Sequence, residues 1–443
     1  MCTATAFPKM PRLGMIRKSV SADDYEVPLP PEFATYYYTQ TLDHFNYRTE
    51  SYITFQQRYI INSKYWGGPN TSSPIFVYTG DEAIITAIAA YAGFIVKLAS
   101  YFNGLLLYIE SVPFGSKQEA FQNTSNLGFF SSTQALANYA QLITDVKKNL
   151  SAEHCPVIAV GGSYGGMLSS WFRLKYPHVA FGALASSAPI LYFDDITPED
   201  GYHAIVTKDF RETSKSCYNT IRKSWSEIDE VAAESNGLYN LSQTFRTCQP
   251  LNSSEELKDF LAFTYVLSAQ YDDPQHKPVE KLCNAIDGAA GSSALDRVAA
   301  GLNARSAAPC HYMISNQTCA EMEMPIGCEA NDTMFEATPF DLNNYTRECE
   351  ELFGVTPRPH WITTEFGATL FSNGLRDPYS AGGVVENISD SVVAVYTQKG
   401  SHTLDMVTPT MSDPDWLVSQ RDTEMIIIEG WIADYNAKLP FSS

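Results

Sequence analysis

The stretch VIAVGGSYGG, residues 157–166, places a serine between glycines at the end of an apolar run. Ser163 is the centre of a G-x-S-x-G pattern, whose small residues let a chain turn sharply from a strand into a helix. The helix that follows, MLSSWFRLKY at 167–176, ends at Pro177, and backbone N–H groups such as that of Tyr164 would face an anion formed beside Ser163. The stretch predicts a nucleophilic serine and the start of an oxyanion hole. A chance match in a glycine-rich loop is less favoured, because a strand precedes the serine and a helix follows it.

Alternating strand and helix patterns surround this serine and predict a mostly parallel α/β sheet. Strands are predicted at 36–45, 55–60, 74–78, 104–109, 369–372 and 392–396, and helices at 133–150 and 414–439. Polar, helix-favouring, cysteine-rich sequence lies between the two halves of the sheet and reads as an inserted cap. We therefore divide the chain into a disordered segment (1–32), a first sheet part (33–193), a helical cap (194–353) and a second sheet part (354–443).

A serine at such a turn needs a base and an acid that orients the base, in the chain order serine, acid, histidine. His402 is the histidine of the returning sheet region, after the strand that ends near residue 396. Asp377 follows the strand at 369–372 and is the favoured acid, with Asp390 and Asp405 as competitors. Ser163 would attack a carbonyl, His402 would carry the proton, and Asp377 would hold the imidazole tautomer.

Composition narrows the class of protein further. The 443 residues are 44% hydrophobic and 18% charged, with a formal net charge of -20, so neither nucleic acid nor an anionic membrane surface is an expected partner. The most apolar window, 83–96, is too short to span a bilayer and is predicted to be one buried helix. The proposed chemistry needs only side chains and backbone donors, so no metal and no organic cofactor is expected.

Cysteines and glycosylation sequons favour the secretory pathway, meaning a lysosome, a vacuole or the extracellular space. Seven of the nine cysteines lie between Cys217 and Cys349, without metal-ligand spacing, which favours disulfides. Because seven is an odd number, one of these cysteines pairs with Cys155 or Cys2 or has no disulfide partner. Nine N-x-[ST] sequons point the same way. Residues 1–31 lack the apolar segment of a signal peptide, so either the true start is missing or the protein is not exported.

Several stretches together resemble the prolylcarboxypeptidase and dipeptidyl peptidase II family of serine peptidases. They are TQTLDHFN (39–46), GGSYGG (161–166), WFRLKYPH (171–178), ASSAPI (185–190), FSNGLRDP (371–378) and GSH (400–402). The resemblance implies an α/β-hydrolase with an inserted helical, disulfide-rich cap, and exopeptidase activity next to proline in an acidic compartment. The family's catalytic residues fall on Ser163, Asp377 and His402. Its proline pocket would involve Met167 and Tyr379, the latter at a position where a tryptophan is usual.

Two departures from the family pattern keep alternatives open. Residues 79–83 read TGDEA where the family has Thr-Gly-Asn-Glu-Gly, and Glu82 is the remaining candidate for substrate binding. Ser111 and Val112 lead straight to Pro113, without the family's His-Arg-Tyr-Tyr-Gly-type segment. The favoured interpretation is a carboxypeptidase acting on Pro-Xaa ends of peptides. The alternatives are a catalytically weak peptide-binding relative, an Xaa-Pro dipeptidyl peptidase and an esterase, and a homodimer stays open.

Overall fold

The computed structural model describes residues 28–439 except 48, 81–82, 117–118, 120–123, 195, 290, 292, 306–309, 312–322, 329–331, 355, 359 and 363–370. Its eight strands form one sheet, and seven of them lie close to the predicted positions. They are β1 (Ala34–Thr41), β2 (Thr54–Asn62), β3 (Ile75–Tyr78), β4 (Leu105–Glu110), β5 (Val157–Gly162), β6 (Gly182–Ser186), β7 (Phe371–Gly374) and β8 (Ala394–Thr397). The strand β6 was not predicted, because its five residues, Gly-Ala-Leu-Ala-Ser, have little intrinsic preference for a strand.

The strand order is β1-β2-β4-β3-β5-β6-β7-β8. Strand β2 pairs antiparallel with both of its neighbours, and all the other pairs are parallel. Because the carboxyl ends of parallel strands share one edge of a sheet, the residues that follow β5, β6, β7 and β8 meet there. Ser163, Asp377 and His402 all lie in these following segments.

Both faces of the central strands are covered by apolar side chains. Ile75 and Val77 of β3 belong to one core cluster, while Phe76 and Tyr78 belong to the cluster on the other face. Successive side chains of a strand point to opposite faces, so a strand buried on both sides reads as a continuous apolar run. This burial explains why β3, β4 and β5 could be predicted from sequence.

Helices cover the two faces and supply the cap. They are α1 (Ile85–Tyr91), α2 (Gly93–Phe102), α3 (Thr124–Leu127), α4 (Ser132–Asn149), α5 (Tyr164–Lys175), α6 (Gly201–Thr213), α7 (Lys215–Ala232), α8 (Gly237–Thr244), α9 (Ser254–Gln270), α10 (Pro278–Gly288), α11 (Ala294–Arg305), α12 (Leu342–Phe353) and α13 (Asp415–Lys438). The disulfide Cys217–Cys283 ties α7 to α10, and Cys248–Cys310 joins the segment after α8 to the segment after α11. Cys349 is also disulfide-bonded. Cys155 is buried and unpaired, and Cys2 lies outside the described residues.

The prediction of one helix over 83–96 was wrong. The segment forms α1 and α2, which are bent by 67° at Ala92. A Cβ atom on Gly93 would lie 2.6 Å from Cα of Thr408, so the close passage of the loop before α13 accounts for a glycine at the break. No single helix in the described ranges has the length and apolar character to cross a membrane, although α1 and α2 together meet both criteria.

The sheet and the chain order of the serine, aspartate and histidine segments are those of an α/β-hydrolase. The predicted fold class is therefore confirmed, including a helical region with disulfides inserted between β6 and β7. The boundaries given for the four segments of the chain stay a prediction. The segment 1–32 lies largely outside the described residues.

Candidate active site

Ser163 joins β5 to α5 in a strained conformation. Its φ of 57° and ψ of -123° are unfavourable for a residue with a side chain, as expected of a nucleophile at a sharp turn. The turn is possible because Gly161 and Gly165 approach each other closely. A Cβ on Gly161 would lie 2.2 Å from the carbonyl oxygen of Gly165, and one on Gly165 would lie 1.9 Å from that of Gly80. The N–H of Ser163 donates to the carbonyl of Ser186 over 2.8 Å, which fixes the turn to β6.

Buried hydroxyl groups hold the loop after β3 against the first turns of α5. Thr79 Oγ1 donates to the carbonyl of Gly165 over 2.7 Å and lies 2.7 Å from Ser169 Oγ. Tyr139, on α4, donates from its hydroxyl to the carbonyl of Thr79. These bonds place Gly80 against the serine turn, where a loop of this kind can supply oxyanion donors.

His402 and Asp377 form a buried pair. His402 Nδ1 lies 2.8 Å from Asp377 Oδ2, and both side chains are fully buried. The second carboxylate oxygen, Oδ1, accepts the backbone N–H of Tyr379 over 3.0 Å, which fixes the plane of the carboxylate. A carboxylate in this position selects the imidazole tautomer whose Nε2 can accept a proton.

The loop that carries His402 is itself held by backbone hydrogen bonds. The N–H of His402 donates to the carbonyl of Gln270 over 3.0 Å, and the N–H of Thr403 donates to Ser187 Oγ over 2.8 Å. His402 Nε2 and Ser163 Oγ are buried without a hydrogen-bond partner in the described part of the chain. Among the described residues, no hydrogen bond therefore joins these two reactive atoms.

The two competing acids lie elsewhere. Asp405 is buried and accepts a hydrogen bond from Ser186 Oγ over 2.6 Å, whereas Asp390 is exposed. Of the three aspartates, Asp377 is the one whose carboxylate contacts the His402 ring.

The remaining predicted site residues have different positions. Tyr164 is the first residue of α5 and directly follows Ser163, while Met167 is fully buried one turn later. Tyr379 is fully buried, with its ring centroid 5.4 Å from that of His402. Glu82 lies outside the described residues.

Three tyrosines that were not predicted from the sequence surround this pair of rings. The ring centroids of Tyr202 and Tyr192 lie 5.0 and 6.2 Å from that of Tyr379, and that of Tyr271 lies 5.7 Å from His402. Tyr202 and Tyr271 come from α6 and from the end of α9, more than 100 residues before Tyr379. No local pattern marks them, because they approach the site only when the cap packs on the sheet.

Arg376, which precedes the acid, joins the sheet to the cap. Its guanidinium pairs with Asp209 of α6 over 3.1 Å and with Asp272 after α9 over 3.2 Å. Burial raises the pKa of the Asp209 carboxyl to about 7, and Arg376 opposes this rise. The ion pair was not predicted, because both partners are distant in sequence.

The sheet topology and the serine at the turn after β5 show the class of protein: it is a serine hydrolase with an α/β-hydrolase fold. The chain belongs to the serine carboxypeptidase S28 family, which matches residues 40–307 and 312–424. It is accordingly a serine-type peptidase, and the predicted enzyme class and family resemblance are confirmed.

Curated relatives cover most of the chain. The lysosomal Pro-X carboxypeptidase of Homo sapiens is 35% identical over 447 residues, which are 91% of this chain and 89% of the relative. That of Mus musculus is 34% identical over 452 residues, or 92% of this chain and 91% of the relative. Among solved structures, the peroxisomal alpha-beta-hydrolase Lpx1 of Saccharomyces cerevisiae is 10% identical and covers 94% of this chain and 92% of its own, with a TM-score of 0.41.

Proposed function

We propose that Ser163, Asp377 and His402 are the catalytic residues of a carboxypeptidase that releases the last residue from peptides ending in Pro-Xaa. The observation that carries this proposal is the buried contact of 2.8 Å between His402 Nδ1 and Asp377 Oδ2, at the sheet edge where Ser163 follows β5. The preference for proline is supported by the names of the relatives, which are Pro-X carboxypeptidases.

The reaction follows from the positions of these groups. Ser163 Oγ attacks the carbonyl carbon of proline and gives its proton to His402 Nε2, while Asp377 stabilises the resulting imidazolium. The N–H of Tyr164, at the positive end of α5, stabilises the oxyanion. His402 then protonates the leaving amine, and water hydrolyses the acyl-enzyme by the same steps in reverse.

Tyr379 and Met167 are our candidates for the wall of the proline pocket. Tyr379 packs beside His402, and Tyr192 and Tyr202 pack on Tyr379, so the surroundings of the acid are aromatic. A pyrrolidine ring packs well on aromatic side chains, which offer a large apolar contact area. The cap residue Tyr271 also packs on His402, and a cap this close to the site favours chain ends over internal bonds.

We also propose that the protein acts in a lysosome-like or other secretory compartment. The cap disulfides suit an oxidising route of synthesis, and the human and mouse relatives named above are called lysosomal. The net charge of -20 suits an acidic lumen, because partial protonation there lowers self-repulsion.

Covalent labelling with a fluorophosphonate at pH 5 and pH 7 tests the nucleophile. Labelling is expected with the native protein and is expected to be lost in Ser163→Ala. Acetyl-Ala-Pro-Phe with a free carboxyl end should then be cleaved, whereas the carboxamide and a Pro-free analogue should not. Cleavage of Ala-Pro from a free amino end would instead identify a dipeptidyl peptidase. No labelling of a cooperatively folding protein would overturn the proposal.

A further inference from the structure

A cavity of about 570 Å³ lies apart from the catalytic residues, between the segment before α6 and the cap sequence around residue 323. The lining residues in the described part of the chain are Asp194, Glu199, Glu323, Pro325, Phe340, Leu342 and His360. Three of them carry carboxyl groups. His360 pairs with one of these, Asp194, so Glu199, together with Glu323 when it is ionised, gives the cavity an excess of negative charge.

Among these lining residues, Glu323 is the one whose burial points to a ligand. Its side chain lines the cavity but is only 4% exposed, and its Oε2 is buried without a hydrogen-bond partner among the described residues. A carboxylate removed from water without a donor is costly, so a ligand that supplies N–H donors would relieve that cost. Burial raises the pKa of Glu323 to about 7, with His360 opposing and Asp194 reinforcing the rise.

The shape of the cavity favours an organic cation over a metal ion. No three His, Cys, Asp or Glu side chains of the described ranges are grouped closely enough to hold a metal. Pro325, Phe340 and Leu342 add apolar walls to the acidic ones. Lysine, arginine and an amino-terminal residue all combine a charged nitrogen with an apolar stem, and such groups bind where both kinds of surface are present.

The cavity is connected to the active site through one short chain of contacts. Glu199 lines it, and Tyr202, three residues later, packs on Tyr379, which packs on His402 with a centroid distance of 5.4 Å. Tyr202 and Tyr379 are fully buried, so these contacts show that the cavity is near the site and do not form a channel. An extended peptide advances about 3.3 Å per residue and needs about five or six residues to cover a comparable distance over the surface.

We infer that this cavity, the acidic pocket, binds the positively charged nitrogen of a peptide substrate several residues before the scissile Pro-Xaa bond. The inference rests on the proposed peptidase function and adds a preference for cationic peptides to it. The group that binds is an ammonium or a guanidinium. It belongs either to a basic side chain of the peptide or to its amino terminus.

Equilibrium binding to the Ser163→Ala protein tests the inference without requiring turnover. The probes are fluorescent, acetylated peptides ending in Pro-Phe, with one lysine placed two to six residues before the proline. Each is compared with the same peptide carrying acetyl-lysine. We expect the lysine peptide to bind about tenfold more tightly at one or two adjacent positions. Peptides with a free amino end and no lysine show whether the terminus supplies the charge.

Substitutions identify the pocket as the source of the preference. In the Ser163→Ala background, Glu323→Gln and Glu199→Gln should each reduce the lysine to acetyl-lysine affinity ratio toward one. Glu234→Gln removes an exposed carboxylate at the end of α7 and should leave the ratio unchanged. Glu199 is partly exposed, so its variant serves if Glu323→Gln fails to fold cooperatively. Equal affinities at every lysine position, or a preference that survives both substitutions, would overturn the inference.

The pH dependence gives an independent readout. The groups that face Glu323 are Asp194, Glu199, His360 and Tyr345. Raising the pH from 5 to 7.5 carries Glu323 through its raised pKa of about 7, and its ionisation makes the pocket more negative. The lysine preference should increase over this range and should do so less in Glu323→Gln. If the native protein fails to cleave a neutral Pro-Phe peptide, the peptidase proposal is refuted. The lysine preference in the binding experiment is measured without turnover, so it still tests whether the acidic pocket binds a cation.

Discussion

Asp377 holds the proposed base through a single buried contact, so its substitution is the sharpest test of the site. Asp377→Asn keeps the size of the side chain but presents an amide to His402 Nδ1, which favours the wrong tautomer. We expect kcat on a Pro-Phe peptide to fall by about 10⁴-fold with little change in KM. Asp390→Asn, at an exposed position, serves as the control. A loss of less than tenfold would mean that another acid orients His402.

Gly165 is required at the serine turn because its hydrogen atoms face the backbone of the loop after β3. A Cβ there would lie 1.9 Å from the carbonyl oxygen of Gly80, so Gly165→Ala must displace one of the two segments. We expect kcat to fall at least about a hundredfold, the effect of misplacing an oxyanion donor. Kinetics measure the loss of activity, and circular dichroism melts of the same preparation measure any loss of stability.

A matched glycine on the surface separates this local clash from a general effect of alanine. Gly430 lies in the exposed part of α13, and a Cβ there meets no atom within 4 Å. Gly430→Ala should leave activity unchanged and stabilise the protein by up to about 1 kcal/mol, because alanine favours a helix. Equal losses of activity in both variants would argue against a special role for Gly165.

At the scale of elements, the position of the cap depends on ion pairs at its base. Arg376 follows β7 and reaches Asp209 of α6 and Asp272 after α9. Arg376→Gln leaves Asp209 buried without its cation, which should cost about 2 kcal/mol of unfolding free energy at pH 7.5. The cost should be smaller at pH 5, since Asp209 has a raised pKa of about 7 and is then neutral.

Chemical denaturation at both pH values checks this prediction, with Arg222→Gln on the exposed face of α7 as control. The double variant Arg376→Gln with Asp209→Asn should recover part of the loss, because the fully buried carboxylate of Asp209 is then absent. Equal losses at pH 5 and pH 7.5 would show that the guanidinium acts through packing alone.

At the scale of the whole molecule, buried acids make stability depend on pH. Burial raises the pKa of Asp405 and that of Glu424, and Asp405 adds to the rise at Glu424. Above about pH 4 the unfolded chain releases these protons while the folded protein retains them, so stability falls as the pH rises toward the folded pKa values. Asp209 and Glu323, both with pKa values raised to about 7, act in the same direction. We expect a higher Tm at pH 5 than at pH 7.5.

Glu424→Gln tests the contribution of the buried acid pair. Glu424 Oε1 accepts a hydrogen bond from Ser372 Oγ over 2.7 Å, and glutamine can retain that bond through its amide oxygen. The difference in Tm between pH 5 and pH 7.5 should therefore become smaller, whereas Glu429→Gln on the exposed face of α13 should leave it unchanged. An unaltered difference in both variants would assign the pH dependence to other groups.

The sequence alone determined the strand that leads to Ser163, the double-sided burial of the central strands and the chain order of Ser163, Asp377 and His402. These features depend on residues that are neighbours in the chain, so apolar periodicity and glycine spacing report them directly. Tertiary structure decided which carboxylate meets His402, which tyrosines surround Tyr379, and that cap and sheet meet through Arg376. It also assembled the acidic pocket from residues as far apart as Asp194 and His360. Such contacts form only when distant segments pack, and no local pattern in the chain records them.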